Sequence, residues 1–345
     1  METKELVGAL SKVKFCTSNN PVLPIFSYVS LNKGFIETCN GTQGARLTFD
    51  APFQGSVNLE LFLNTLNLYT KVDSISKIDD RLELVTKKAM STLQIFDDYV
   101  SIFDEGIKDV FNIEVNSNFI NGLSKCLTTV DRNNLVESQS GVTIKIYPNK
   151  LLMFSISGFK GTRLSKYSYD VEYEGKDDEV LLQIVLPEFF CRYIVQLHKE
   201  DTVLRVSDTT ATIQLDDLLF ATRLEDITPI DFEAIIQKNI TGEYTTIDKP
   251  QELVEAIDRA VVALSPLKDG KVISMTLLNK MLDITAYSQI SSYKDSITLD
   301  IDQQFEFTID AVPFQSTLKE IQKIGFYNGL IIGENDNYFT LMETN

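Results

Sequence analysis

The chain has 345 residues, 43% hydrophobic and 23% charged, too long for one ordinary core and in the range of two or three globular domains. No window approaches the roughly 18 consecutive apolar residues of a membrane span, and residues 1–14 lack the apolar stretch of a secretory signal, so a cytoplasmic protein without membrane contact is expected. A net charge of -17 argues against nucleic acid unless basic residues are segregated onto one surface.

The first segment opens with an amphipathic helix over 3–15, where Leu6, Leu10 and Val13 share one face. Strands over 28–31 and 35–49 follow, joined at Asn32-Lys33-Gly34. A second helix over 59–71 presents Phe62, Leu66 and Tyr69, and residues 81–85 and 91–96 alternate with period two. The second segment repeats this plan. A helix over 118–132 carries Phe119, Leu123, Leu127 and Val130, strands run over 142–147 and 151–167, and Pro187 begins a helix with Phe190, Tyr193, Ile194 and Leu197. The third has a helix over 250–264, strands over 272–285, a helix over 312–323 and a closing hairpin over 329–342.

One module written three times predicts an α+β protein, each domain with two helices and antiparallel sheets. Boundaries near residues 107–111 and 237–244 divide it into 1–108, 109–240 and 241–345. Gln43-Gly44-Ala45-Arg46-Leu47 and Lys160-Gly161-Thr162-Arg163-Leu164 share Gly-x-Arg-Leu at what read as equivalent places, and Ala286-Tyr287-Ser288-Gln289 has lost it.

Charge follows the same division. The six expected helices hold 12 Lys and Arg against 8 Asp and Glu, in a chain that has 32 against 49. Lys12, Lys125, Arg132, Arg192, Lys199, Arg259, Lys319 and Lys323 are expected on their outer faces, where modest charges add into one positive field. No finger, recognition helix or aromatic-basic motif offers base readout, so any DNA contact is directed at the backbone.

Catalysis and metal binding find little support. His198 is the single histidine, and Cys16, Cys39, Cys126 and Cys191 form no Cys-x-x-Cys pair, so no metal, cofactor or catalytic residue is expected. The pairs Asp97-Asp98, Asp177-Asp178 and Asp216-Asp217 read as solvated acidic surface, because adjacent residues on a strand point to opposite faces.

Three stretches resemble the bacterial-type sliding clamp, the beta subunit of replicative DNA polymerase. Leu23-Pro24-Ile25 precedes the first strand as in that family, residues 159–164 resemble its Asp-Gly-His-Arg-Leu turn, and Pro229-Ile230-Asp231-Phe232 resembles its Pro-Asp-Tyr linker. The resemblance implies a head-to-tail homodimer closed into a ring around duplex DNA, which serves as a non-enzymatic processivity factor. It also implies an apolar groove for short linear peptides of polymerase and clamp loader, at Gly161, Thr162, Arg163, Leu164, Pro229, Ile235, Phe339 and Leu341. Thr162 replaces the family's groove histidine and Ala234 a basic linker residue, and Leu341-Met342 replaces its Met-Pro, so a different preferred peptide is expected. The short length suggests a phage protein. A β-rich viral structural or attachment protein without DNA binding is the competing reading.

Overall fold

The computed structural model describes residues 3–18, 21–69, 71–103, 111–130, 139–158, 163–197, 202–224, 230–267 and 270–344. In chain order the first module contains α1 (Thr3–Val13), β1 (Tyr28–Asn32), β2 (Phe35–Cys39), β3 (Gln43–Thr48), β4 (Gly55–Asn58), α2 (Leu59–Asn67), β5 (Ser74–Ile78), β6 (Arg81–Val85) and β7 (Met90–Gln94). The second contains β8 (Phe111–Val115), α3 (Ser117–Leu127), β9 (Gly141–Tyr147), β10 (Lys150–Ser157), β11 (Arg163–Asp170), β12 (Leu182–Pro187), α4 (Glu188–Leu197), β13 (Thr202–Val206), β14 (Thr210–Leu215) and β15 (Leu218–Arg223). After α5 (Phe232–Asn239) come β16 (Thr246–Asp248), α6 (Gln251–Ala263), β17 (Val272–Leu278), β18 (Met281–Tyr287), β19 (Ser292–Thr298), β20 (Phe305–Asp310), α7 (Ala311–Glu320), β21 (Lys323–Tyr327), β22 (Leu330–Glu334) and β23 (Tyr338–Glu343). The order of helices and strands therefore recurs three times, as expected. Among the described residues the first copy lacks only the leading short strand.

The recurrence has a physical signature in the buried helix faces. Leu6, Ala9, Leu10 and Val13 of α1, Phe119, Gly122, Leu123 and Cys126 of α3, and Leu253, Ala256, Ile257 and Ala260 of α6 are all buried. Each set follows one spacing, i, i+3, i+4, i+7, with a small residue second. That residue lets the helix approach its sheet. A Cβ on Gly122 would lie 2.6 Å from Tyr167 and 2.7 Å from Met153. The second helices share Phe followed four residues later by Leu or Ile, namely Phe62 and Leu66, Phe190 and Ile194, Phe314 and Leu318, all essentially inaccessible. Burying each such Phe contributes roughly 1.5–3 kcal/mol.

Two compact units result. One comprises Met1–Asn116 with Leu197–Asp226, the other Ser117–Gln196 with Ile227–Asn345. The first holds an eight-stranded antiparallel sheet in the order β4-β1-β2-β3-β15-β14-β13-β8 and a three-stranded sheet β5-β6-β7. The second holds an eight-stranded sheet, β12-β9-β10-β11-β23-β22-β21-β16, and a four-stranded sheet, β19-β18-β17-β20. Each large sheet joins halves of successive modules through the same edge: β3 pairs with β15 and β11 with β23, both antiparallel.

Several expected elements are corrected. The strand expected over 35–49 breaks at Asn40, whose side-chain Oδ1 accepts hydrogen bonds from the backbone of Thr42 and Gln43, beside Gly41 at φ +95°. Asn-Gly is a strong turn signal, and it makes β2 and β3 a hairpin. The strand expected over 151–167 likewise splits into β10 and β11. Pro187 does not open a helix. It is the last residue of β12, opposite Gly141 on the sheet's edge strand, where its missing N–H costs nothing. The helix over 312–323 ends at Glu320, because Ile321 turns to extended backbone and is buried with a methyl against Gly333. Lys323 therefore begins β21. The linker forms α5, capped by Asp231, which accepts from Ala234 N at 3.0 Å.

The Gly-x-Arg-Leu stretches do not occupy equivalent register positions. Arg46 lies opposite Leu219, the second residue of β15, whereas Arg163 lies opposite Met342, the fifth of β23. In the first copy the glycine serves packing. A Cβ on Gly44 would meet Ile102 Cγ2 at 2.4 Å and Phe103 at 3.1 Å, where Ile102 is buried against Cys39 and Ala221. Gly44→Ala should lower stability by about 1–3 kcal/mol in urea unfolding, as overpacking does. Adding Ile102→Ala should recover part of the loss, and strict additivity of the two would refute the packing role.

Candidate functional site

An apolar surface in the second unit gathers most of the described groove residues. Along β10, Leu152, Phe154 and Ile156 alternate onto one face, and Leu164 lies opposite Ile156 on β11, with Leu341 opposite Leu164 on β23. These five, with Phe232 and Leu330, form one buried cluster. Helix α5 lies on it through Phe232, which stacks on Phe154 with ring centroids 4.7 Å apart. Ile235, Ile236, Phe339, Ile230, Ile240, Tyr147 and Tyr327 remain half-buried around the cluster, an apolar rim beside a fully buried floor.

Of the expected groove residues, Leu164, Ile235, Phe339 and Leu341 come together here. Arg163 does not join them, since alternation along β11 directs it to the opposite face from Leu164. Gly161, Thr162 and Pro229 lie outside the described residues. Sequence reasoning missed Leu152, Phe154, Ile156 and Phe232. The first three sit in the run Leu151-Leu152-Met153-Phe154-Ser155-Ile156, buried on both faces and hence without visible alternation.

At the N-terminal end of α5 a cavity of about 240 Å³ is lined by Thr143, Lys145, Gln183, Asp231 and Glu233 against the Phe154–Phe232 pair. The Tyr147 side chain beside Lys145 raises the ammonium's pKa, with smaller contributions from Glu233 and Asp231.

The expected basic helix faces are largely neutralised. Lys12 pairs with Asp217 at 2.8 Å. Lys125, only 18% exposed, reaches the Glu320 carboxylate at 3.6 Å and its carbonyl at 3.3 Å. Arg192 pairs with Glu188, and Arg259 binds Asp295 at 2.9 Å and the Tyr293 hydroxyl at 3.0 Å. Lys319 is exposed on α7, Lys323 lies on a strand, and Arg132 and Lys199, like His198, lie outside the described residues.

The expected positive excess is also corrected. Within the observed bounds of the six module helices, Lys4, Lys12, Lys125, Arg192, Arg259 and Lys319 face Glu5, Glu60, Glu188, Glu252, Glu255, Asp258 and Glu320. Lys14, Lys71, Lys249 and Lys323, which supplied the excess, fall just beyond the helix ends. The helices are close to neutral in a strongly acidic chain.

Other chemistry is not assembled in the described residues. Asp97 pairs with Lys77 and Asp217 with Lys12, and no group of three or more His, Cys, Asp or Glu residues could hold a metal ion. All four cysteines are buried, and burial pushes the Cys126 thiol up to about 12. No described helix is long and apolar enough to cross a membrane.

No family model and no curated protein matches the chain in sequence. Solved structures do match it in fold. The Helicobacter pylori beta clamp bound to a DNA ligase peptide has 20% identity and a TM-score of 0.78, with 100% of this chain and 99% of that one covered. The DNA polymerase III subunit beta of Pseudomonas aeruginosa has 15% identity and a TM-score of 0.80 over 100% and 99% of the two chains. The corresponding subunit of Thermotoga maritima has 14% and 0.75 over 100% and 98%. The fold is that of the bacterial sliding clamps, over the whole chain.

Proposed function

We propose that this chain is a DNA sliding clamp, a non-enzymatic processivity factor that encircles duplex DNA and tethers a replicative DNA polymerase. One observation carries the proposal. In both large sheets the third strand of a module's first sheet pairs with the last strand of another module, as β3 does with β15 and β11 with β23. The remaining two strands of those classes, β19 and β7, are each the edge of a small sheet among the described residues. A protein with two such edges pairs them with a second copy, β19 of one chain against β7 of the other. The contact is heterologous, and two copies close it into a ring of six modules, 1–108, 109–240 and 241–345 in each chain.

The charge pattern supports topological rather than adhesive holding of DNA. Near-neutral helices with paired cations give few phosphate contacts and therefore little counterion release, so the duplex is free to slide. The acidic remainder of the chain repels phosphate, so the protein, which we read as cytoplasmic, grips DNA only by enclosing it. Short peptides of polymerase and clamp loader are read as binding on the rim of Ile235, Ile236 and Phe339; the Helicobacter pylori clamp, similar in fold, is bound to a DNA ligase peptide. Retention on circular but not linear DNA tests the proposal.

A further inference from the structure

Next to that rim, in the same unit, is a second cavity of about 470 Å³. Ile236 and Phe339 form its near wall and so continue the apolar rim into it. Its far wall is the β22–β23 turn, which contributes Glu334 and Asp336. The Tyr244 hydroxyl donates to Glu334 Oε1 at 2.5 Å, which orients that carboxylate without saturating it, because an ionised carboxylate accepts about four hydrogen bonds. Burial, with the neighbouring Glu334, pushes the Tyr244 pKa up to about 12, so the hydroxyl remains a donor.

The one cation in the lining is Lys166. It is half-buried, its ammonium lies 5.8 Å from the Phe154 ring centroid, and its charge is offset by Glu233 on α5. Burial lowers its pKa. The acidic turn therefore faces a cavity with no cation engaged to it among the lining residues, at the open end of an apolar track.

We propose that this cavity receives the lysine or arginine side chain of the partner peptide whose apolar residues lie on Ile235 and Phe339. The inference rests on the peptide-site reading above and adds the class of peptide, apolar followed by basic. Ile236 and Phe339 cover the side chain's methylene stem while its charged head reaches Glu334 and Asp336. A long-range field from the -17 chain attracts the same peptides, but a local pair is lost on local substitution and the field is not.

Two fluorescein-labelled octapeptides with a Leu-Leu centre, one flanked by serines and one by lysines, would be titrated by anisotropy in low salt. The lysine peptide should bind about tenfold more tightly, the effect of one or two partly exposed ion pairs. Glu334→Gln with Asp336→Asn should remove most of that preference, sparing only what the long-range field contributes, and leave the serine peptide unchanged, whereas Asp98→Asn should alter neither. Equal binding of the two peptides, or a preference undiminished by Glu334→Gln/Asp336→Asn, would overturn the inference while leaving the peptide site intact. Failure of both peptides to bind the unsubstituted protein would overturn the peptide site as well.

Discussion

Thr92→Pro should convert the proposed dimer to a monomer. In the β6–β7 hairpin, Thr86 N donates to Ala89 O, so alternation makes Leu84–Ser91 and Leu82–Leu93 the hydrogen-bonded pairs. The N–H and C=O of Thr92 then point away from β6, toward the open edge. Proline there removes a donor and inserts a ring without touching the internal ladder, which edge strands tolerate. Against an incoming β19 it removes a ladder hydrogen bond and leaves the facing carbonyl unpaired, a cost of about 1–3 kcal/mol and a loss of affinity on the order of 10- to 100-fold. Sedimentation should show half the native mass with an unchanged far-ultraviolet spectrum. Ser296→Pro should do the same from the other side, since Ser288 N donates to Ser291 O and the same count leaves Ser296 facing outward from β18. A dimer that survives both substitutions would refute the edge pairing.

Ile235→Ser with Phe339→Ser should weaken peptide binding by roughly tenfold for each residue, since anchors at such sites contribute about 1–2 kcal/mol apiece. These two are chosen over Leu164 and Leu341 because the latter are fully buried, and truncating them would cost about 2–5 kcal/mol of fold stability and confuse the result. Half-buried Ile235 and Phe339 lose less when polar. The measurement is anisotropy with a polymerase-derived tail peptide, with thermal unfolding run in parallel. Unchanged affinity in a folded double variant would remove the rim from the binding site.

The repeat was legible because helix faces are written in a 3.6-residue period. The short signature offered beside it did not hold, however. Gly-x-Arg-Leu sits at different registers in its two copies, whereas the spacing of Leu6, Phe119 and Leu253 with their small i+3 partners holds in all three. That pattern looks ordinary in one helix and becomes informative only when three are aligned. Strand ends were less legible. Asn40-Gly41 carried a turn signal in plain sight, but the apolar residues on either side read as one continuous strand.

The candidate site was legible in part for a different reason. Leu164, Ile235, Phe339 and Leu341 are separated by many residues and meet only because β11 pairs with β23 and α5 closes over both. No periodicity within one element reveals that, and the family resemblance supplied it. The charge reading failed at the helix boundaries. Four lysines just outside the observed helices were counted as helical, and carboxylates from other elements, such as Asp217 and Asp295, neutralised cations that looked free in sequence. Helix C-termini favour lysine through the dipole, so a generous C-terminal boundary collects extra positive charge.

The central claim is enclosure of DNA. The protein would be loaded by its clamp loader onto a nicked circular plasmid, passed through a sizing column, and compared with a sample cut once by a restriction enzyme after loading. Retention on the circle with loss from the linear form is the predicted result. Equal retention on both, or retention on neither with an active loader, would contradict it.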